Sequence, residues 1–171
     1  LRDLAQWHGA GIEVKAAVNI SARLLISPAF FEAVGAALQV SDTSASDLIF
    51  EVTESATMAD PAAALRALEG YRRMGIMISL DDYGTGQSTL TYLKTLPLGE
   101  LKIDRSFVEN AHEDSSDALL VRSTVNLAHA LGLLVVAEGI ETVECLDFLR
   151  EVGCDLAQGY FVSRPLPASE L

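Results

Sequence analysis

Short apolar runs alternate with helical stripes along the whole chain. Residues 1–8 read as a helix end, with Leu1, Leu4 and Ala5 on one face and Gly9 and Gly11 closing it. Residues 14–20 form a short apolar strand that ends at Asn19. Ser27 and Pro28 then open a helix whose stripe is Phe31, Val34 and Leu38. A polar loop over 41–47 leads to a strand over 48–52. Asp60 and Pro61 cap the next helix, which carries Leu65, Leu68, Tyr71 and Met74 and stops at Gly75. The apolar run 76–80 enters the pair Asp81-Asp82, and a helix with Leu90, Leu93 and Leu96 follows up to Pro97. Residues 98–104 are a strand. A polar loop over 112–117 precedes a helix through Leu120, Val121, Val125 and Ala128. Residues 133–137 are a strand ending before Glu138. Thr142 opens a helix through Cys145, Leu146, Leu149 and Val152, and residues 154–158 form the last strand.

Strand and helix thus alternate six times. Strands joined by crossover helices pair in parallel, and their short apolar runs predict burial on both faces. The expected fold class is α/β, a (β/α)8 TIM-type barrel represented by about six βα units.

The polar residues change the picture most. Asn19, Glu51, Asp81 with Asp82, Lys102 with Asp104, Glu138 and Gln158 each fall at the C-terminal end of a different strand. In a (β/α) barrel those ends open on one face, where active sites lie. Asp81 and Asp82 would point to opposite sides of a continuing strand, and reach one mouth only if the strand is ending and the chain is turning. Carboxylates and one amide oxygen are hard donors, suited to Mg²⁺, Mn²⁺ or Ca²⁺ rather than zinc. So many carboxylates in one mouth repel one another, and two divalent cations would supply the counter-charge. Lys102 serves there as a cation near developing charge or holds an attacking water; a plain salt bridge to Asp104 is the alternative.

With 171 residues the chain is long enough for one domain with a sizeable core. Half of it is apolar, yet no run approaches the roughly 20 residues needed to span a bilayer. Two scattered cysteines, Cys145 and Cys154, make no disulfide framework, and reduced thiols in a cytosolic protein are expected. His8, His112 and His129 lie too far apart to suggest a histidine metal site. A net charge of −12 argues against a nucleic-acid polymer as partner, and an anionic ligand would need bound cations to enter an acidic mouth.

Six ordered motifs carry a resemblance: Val18-Asn19-Ile20-Ser21, Glu51-Val52-Thr53-Glu54-Ser55, Asp81-Asp82-Tyr83-Gly84-Thr85-Gly86, Leu101-Lys102-Ile103-Asp104-Arg105-Ser106-Phe107, Ala137-Glu138-Gly139-Ile140-Glu141-Thr142 and Gln158-Gly159-Tyr160-Phe161. Together they resemble EAL domains, the bacterial cyclic di-GMP phosphodiesterases, over essentially residues 1–171. The resemblance implies hydrolysis of one phosphodiester of cyclic di-GMP to linear pGpG with two divalent cations, Mg²⁺ or Mn²⁺. It implies Asn19, Glu51, Asp81, Asp82 and Glu138 as metal ligands, with Glu138 also in the catalytic set. Lys102 would position the water or protonate the leaving group, with Asp104 beside it. Gln158 would lie near metals and substrate. Glu54 would steady the loop after Asp82, and Glu141 belongs to the same functional set. For Glu54 and Glu141 a simple favourable charge at a helix N-terminus is the alternative.

The family's name-giving Glu-Ala-Leu strand is absent from this sequence. A whole barrel of this class takes about 250 residues, so the first two strands and about 80 residues are expected to be missing and the fragment to be a poor enzyme. Tyr83 stands where the family usually has Phe, and Gln87 where it usually has Tyr. The resemblance further implies a homodimer, a cytoplasmic domain, sensory or diguanylate-cyclase-like domains in the whole protein, and an upstream membrane anchor as an option. Two other readings compete with the enzyme: a non-catalytic cyclic di-GMP-binding or protein-interaction module, and a barrel enzyme that abstracts a proton with Lys102 as base and a single Mg²⁺.

Overall fold

A computed structural model describes residues 1–41, 43–84 and 90–170. The chain divides into two compact units, Leu1–Ser79 with Ser88–Leu98, and Leu80–Gln87 with Gly99–Leu171. Strand β3 (Met77–Tyr83) begins in the first unit and ends in the second.

In the first unit, α1 (Arg2–Gly9) leads to β1 (Ala16–Asn19), α2 (Ala22–Leu25) and α3 (Pro28–Val40). A 3-10 turn over Ala45–Asp47 precedes β2 (Leu48–Thr53), α4 (Glu54–Met58) and α5 (Pro61–Met74), and α6 (Leu90–Thr95) belongs to the same unit. The strand order is β1-β2-β3. β1 and β2 pair in parallel with Asn19 opposite Glu51. The helix starts follow from local chemistry. Ser27, Thr53 and Asp60 each accept a hydrogen bond from a backbone N–H of the first turn, and Pro28 and Pro61 sit where no donor is needed. Gly75 stops α5 in the left-handed conformation that glycine adopts freely. The core includes Leu4, Leu25, Val52, Leu68, Ile76, Ile78 and Tyr71, whose ring lies 5.0 Å from Phe50 and 5.1 Å from Phe31, centroid to centroid.

In the second unit the order is β3-β4-β5-β6. β4 (Glu100–Ile103) pairs in parallel with β5 (Leu134–Ala137), and β5 with β6 (Leu156–Ala157). Between them run α7 (Arg105–Val108), α8 (Ser115–Ala130) and α9 (Val143–Glu151). Leu101, Val108, Val121, Val125, Val135, Ile140 and Leu149 are fully buried. Asp155 fastens the C-terminal end of α8 to β5, accepting from the Val135 amide and facing a His129 ring nitrogen, both at 2.8 Å.

The α/β reading and the count of six strands hold among the described residues. Burial on both strand faces holds for β2 and β4 but not for β1 and β6, where Val18 and Leu156 are exposed. These are the first and last strands in the order, so each has a neighbouring strand on one side only among the described residues. The α3 stripe of Phe31, Val34 and Leu38 faces inward yet is only half-buried. Three short helices escape the periodicity argument: α2, α4 and α7 span only four or five residues each, too few to show a 3.6-residue pattern. Asp104, expected to end a strand, instead caps α7.

Candidate active site

The first unit brings Asn19 and Glu51 together. Asn19 ends β1, and Glu51 is its register partner on β2. The Ile20 amide donates to the Glu51 carbonyl at 2.8 Å, so the pairing persists one step past Asn19. Glu51 is buried, while Asn19 is exposed at the strand end. Both line a recess of about 490 Å³ whose other polar walls are Ser21, Thr53 and Ser55. Glu54 opens α4 directly beneath the Thr53 cap and is buried, which sets it apart from an ordinary solvated helix-start charge. Its carbonyl accepts from the Thr57 hydroxyl, and the Thr57 carbonyl in turn accepts from Tyr92 of α6, both at 2.8 Å.

The second unit gathers the charged groups. Asp81 extends along β3, but Asp82 has φ 56°, a left-handed turn that Asp tolerates better than most residues. Its amide donates to Asp81 Oδ1 at 3.1 Å. The strand therefore kinks at Asp82 rather than ending, since β3 runs on to Tyr83, and the kink lets an oxygen of each acid approach the same point. Glu138 follows β5 and is held in line by its amide, which donates to the Ile103 carbonyl at 3.2 Å. One carboxylate oxygen from each of Asp81, Asp82 and Glu138 lies within 4.8 Å of the other two. Lys102 enters from β4, its Nζ 3.2 Å from Asp81 Oδ1 and 2.6 Å from Glu138 Oε1. Its side chain is only 5% exposed.

Charge is unbalanced here. Burial pushes the Asp82 carboxyl above the usual carboxylate range; repulsion from Asp81 and Asp104 adds to this, and Lys102 pulls the other way. One ammonium does not neutralise this set, and hard oxygen donors at this spacing fit Mg²⁺ or Mn²⁺. Asp104 accepts from the Ser106 amide at 3.0 Å and from the Ser106 hydroxyl, so its carboxylate shapes the start of α7 while facing Asp82 electrostatically.

Gln158, just after β6, is placed by its backbone. Its amide donates to the Ala137 carbonyl at 2.9 Å and its carbonyl accepts from Ile140 at 3.1 Å, bracketing the turn that carries Glu138. Glu141 is exposed and pairs with Arg105 at 2.8 Å. Gly84, two residues after Asp82, has φ 101°, and a Cβ there would lie 3.0 Å from the Phe107 ring. Gly86 and Gln87 lie outside the described residues.

Sequence reasoning missed Arg105. Its pairing with Glu109, four residues on, is legible as a helix-surface pair, but its reach to Glu141 is not, because nothing in the sequence links residues 36 apart.

A profile of the family described as EAL domain matches residues 1–165. The bifunctional diguanylate cyclase/cyclic di-GMP phosphodiesterase MucR of Pseudomonas aeruginosa is 43% identical over 171 residues, covering 99% of this chain and 25% of that protein. The cyclic di-GMP phosphodiesterase NbdA of the same organism is also 43% identical, over 99% of this chain and 22% of that protein. A solved structure, "PaMucR Phosphodiesterase, c-di-GMP complex", matches with a TM-score of 0.93 and 43% identity, covering 99% of this chain and 69% of that one. The chain spans about a quarter of the length of these curated relatives. No helix among the described residues is long and apolar enough to cross a membrane.

Proposed function

The chain belongs to the EAL domain family, and on that premise we propose that residues 1–171 are part of a metal-dependent phosphodiesterase domain that opens one phosphodiester of cyclic di-GMP to give linear pGpG. The observation that carries this reading is the convergence of Asp81, Asp82 and Glu138 within 4.8 Å around the buried Lys102. Cyclic di-GMP comes from the relatives, two of which are named as phosphodiesterases of that molecule.

Asp81, Asp82 and Glu138 are the proposed holders of divalent cations, Mg²⁺ or Mn²⁺, with Asn19 and Glu51 as further oxygen ligands. Two such ions, when bound, would supply a nucleophilic water at neutral pH and charge for the phosphoryl oxygens. The chain's own residues do the rest. Lys102, held by Asp81 and Glu138, keeps a fixed positive charge where negative charge develops, and orients the attacking water or protonates the leaving oxygen. Asp104 sets the charge facing Asp82. Gln158 brackets the Glu138 turn and Glu141 closes it, and both are proposed to serve the substrate. The net charge of −12 would repel a dianionic ligand, so substrate entry depends on bound cations. The domain works in the cytoplasm, as a homodimer and as one part of a longer signalling protein.

The test is chromatography of cyclic di-GMP incubated with the whole protein and Mn²⁺. Conversion to pGpG that stops with EDTA or with Lys102→Ala supports the reading. Binding of cyclic di-GMP without turnover under Mn²⁺ favours a non-catalytic binding module instead.

A further inference from the structure

The side chain of Arg105 does something the phosphodiester chemistry does not ask of it. Arg105 is the first residue of α7, directly after Asp104. Its Nε donates to Glu109 Oε2 at 3.0 Å, and its terminal NH2 nitrogen lies 2.8 Å from Glu141 Oε1. Between those two anchors the aliphatic stem passes over Gly139, so closely that a Cβ on Gly139 would fall inside it. Gly139 is the residue after Glu138 and has φ 73°, so the backbone turns left-handed at this point. On the far side Ile140 is fully buried, and its amide is bonded to the Gln158 carbonyl.

Glu138 is therefore held from two directions. On the strand side it has the Ile103 carbonyl and Lys102. On the loop side the chain is pinned by Arg105 lying across Gly139 and gripping Glu141. Exposed ion pairs add little stability, and Arg105 is half-exposed. A planar guanidinium joined to two carboxylates does, however, fix direction, because its donors diverge in a rigid fork. A lysine has one charged point and cannot span both acids.

We propose that Arg105 is a positioning residue for Glu138: bridged between Glu109 and Glu141 and packed on Gly139, it fixes the 138–141 turn so that the Glu138 carboxylate stays aimed at the divalent cation. This rests on the metal reading above. Arg105 pairs with Glu109 and Glu141, neither of them a proposed metal ligand. It acts as outer-shell partners of metal ligands do, where loss weakens metal affinity by about 10–100-fold.

The experiment is calorimetric titration of MnCl₂ into the full chain and its variants, with circular dichroism melts to confirm folding. Arg105→Ala weakens the Mn²⁺ Kd by about tenfold or more, and Arg105→Lys falls between it and wild type. Glu141→Gln, which leaves the Arg105–Glu109 pair intact, weakens binding as well and carries the test if Arg105→Ala does not fold. The double variant is no worse than Arg105→Ala alone. Arg150→Ala, removing a comparable exposed ion pair with Asp147 on α9, leaves the Kd unchanged. A wild-type Kd in both Arg105→Ala and Glu141→Gln overturns the positioning role alone. A wild-type chain that takes up no Mn²⁺ overturns the metal reading and this proposal with it.

Discussion

Lys102 Nζ stands 2.6 Å from Glu138 Oε1, a charge-assisted contact between a nearly wholly buried side chain on β4 and a largely buried one just past the end of β5. The ammonium also reaches Asp81. In a metal-free chain it is the positive charge paired with Asp81 and Glu138, so its loss leaves carboxylates facing each other with water partly excluded. Breaking a buried pair from one side costs about 3–5 kcal/mol. Lys102→Met is expected to lower the urea midpoint of the metal-free chain by a corresponding amount. Added Mn²⁺ restores part of the loss, because a divalent ion replaces the missing charge. A variant as stable as wild type without metal contradicts this account of the cluster.

Asp82 gives the opposite sign. Its carboxyl titrates above the ordinary value because burial disfavours the charge and Asp81 and Asp104 repel it. An acid whose folded pKa is raised binds protons more tightly when folded, so stability falls as pH climbs from the unfolded value through the folded one. Ionising Asp82 in the metal-free fold is therefore a cost. Asp82→Asn keeps a residue that tolerates the left-handed turn, and is expected to raise the metal-free Tm at pH 7 by about 1–3 °C. The gain vanishes below the ordinary Asp pKa, where both chains are neutral at this position. Under Mn²⁺ the order reverses, because the wild type is stabilised by the ion it binds. Thermal melts at pH 3.5 and pH 7, with and without Mn²⁺, decide it.

Tyr71 offers a check on the first unit's core. Its ring is fully buried against Phe31 and Phe50, yet its hydroxyl has no hydrogen-bond partner among the described residues. Burial also pushes its phenol pKa up. An unpaired buried hydroxyl carries a desolvation cost, so Tyr71→Phe is expected to stabilise by about 1 kcal/mol. Tyr71→Ala, which opens a cavity, costs about 3–5 kcal/mol. Denaturant titration of both variants reads the difference, and a destabilised Tyr71→Phe would mean that the hydroxyl has a partner.

Much of this arrangement is legible in the sequence. Ser27-Pro28 and Asp60-Pro61 mark the starts of α3 and α5, and strand ends carrying Asn19, Glu51, Asp81 and Glu138 can be read from apolar runs that stop at a polar residue. What the pattern could not show was direction. Whether Asp81 and Asp82 diverge or converge depends on one backbone angle, the φ of Asp82, and no residue type at that position dictates it. The partner of Lys102 was equally open. Asp104, two residues along, is the near candidate in sequence, but it turns to cap α7, while Asp81 arrives from β3 and Glu138 from the turn after β5. Short helices such as α7 are set by caps and tertiary packing rather than periodicity, which is why the Arg105 contacts lay hidden.

The central claim is that Asp81, Asp82 and Glu138 hold divalent cations. Its most direct measurement is Mn²⁺ titration followed by electron paramagnetic resonance, in which free aqueous Mn²⁺ gives the signal and bound ion removes it. The full chain is expected to deplete free Mn²⁺ saturably, and Glu138→Gln and Asp82→Asn to lose that depletion while still melting cooperatively. A wild-type chain that leaves the free Mn²⁺ signal unchanged, or a Glu138→Gln variant that binds as well as wild type, contradicts the account.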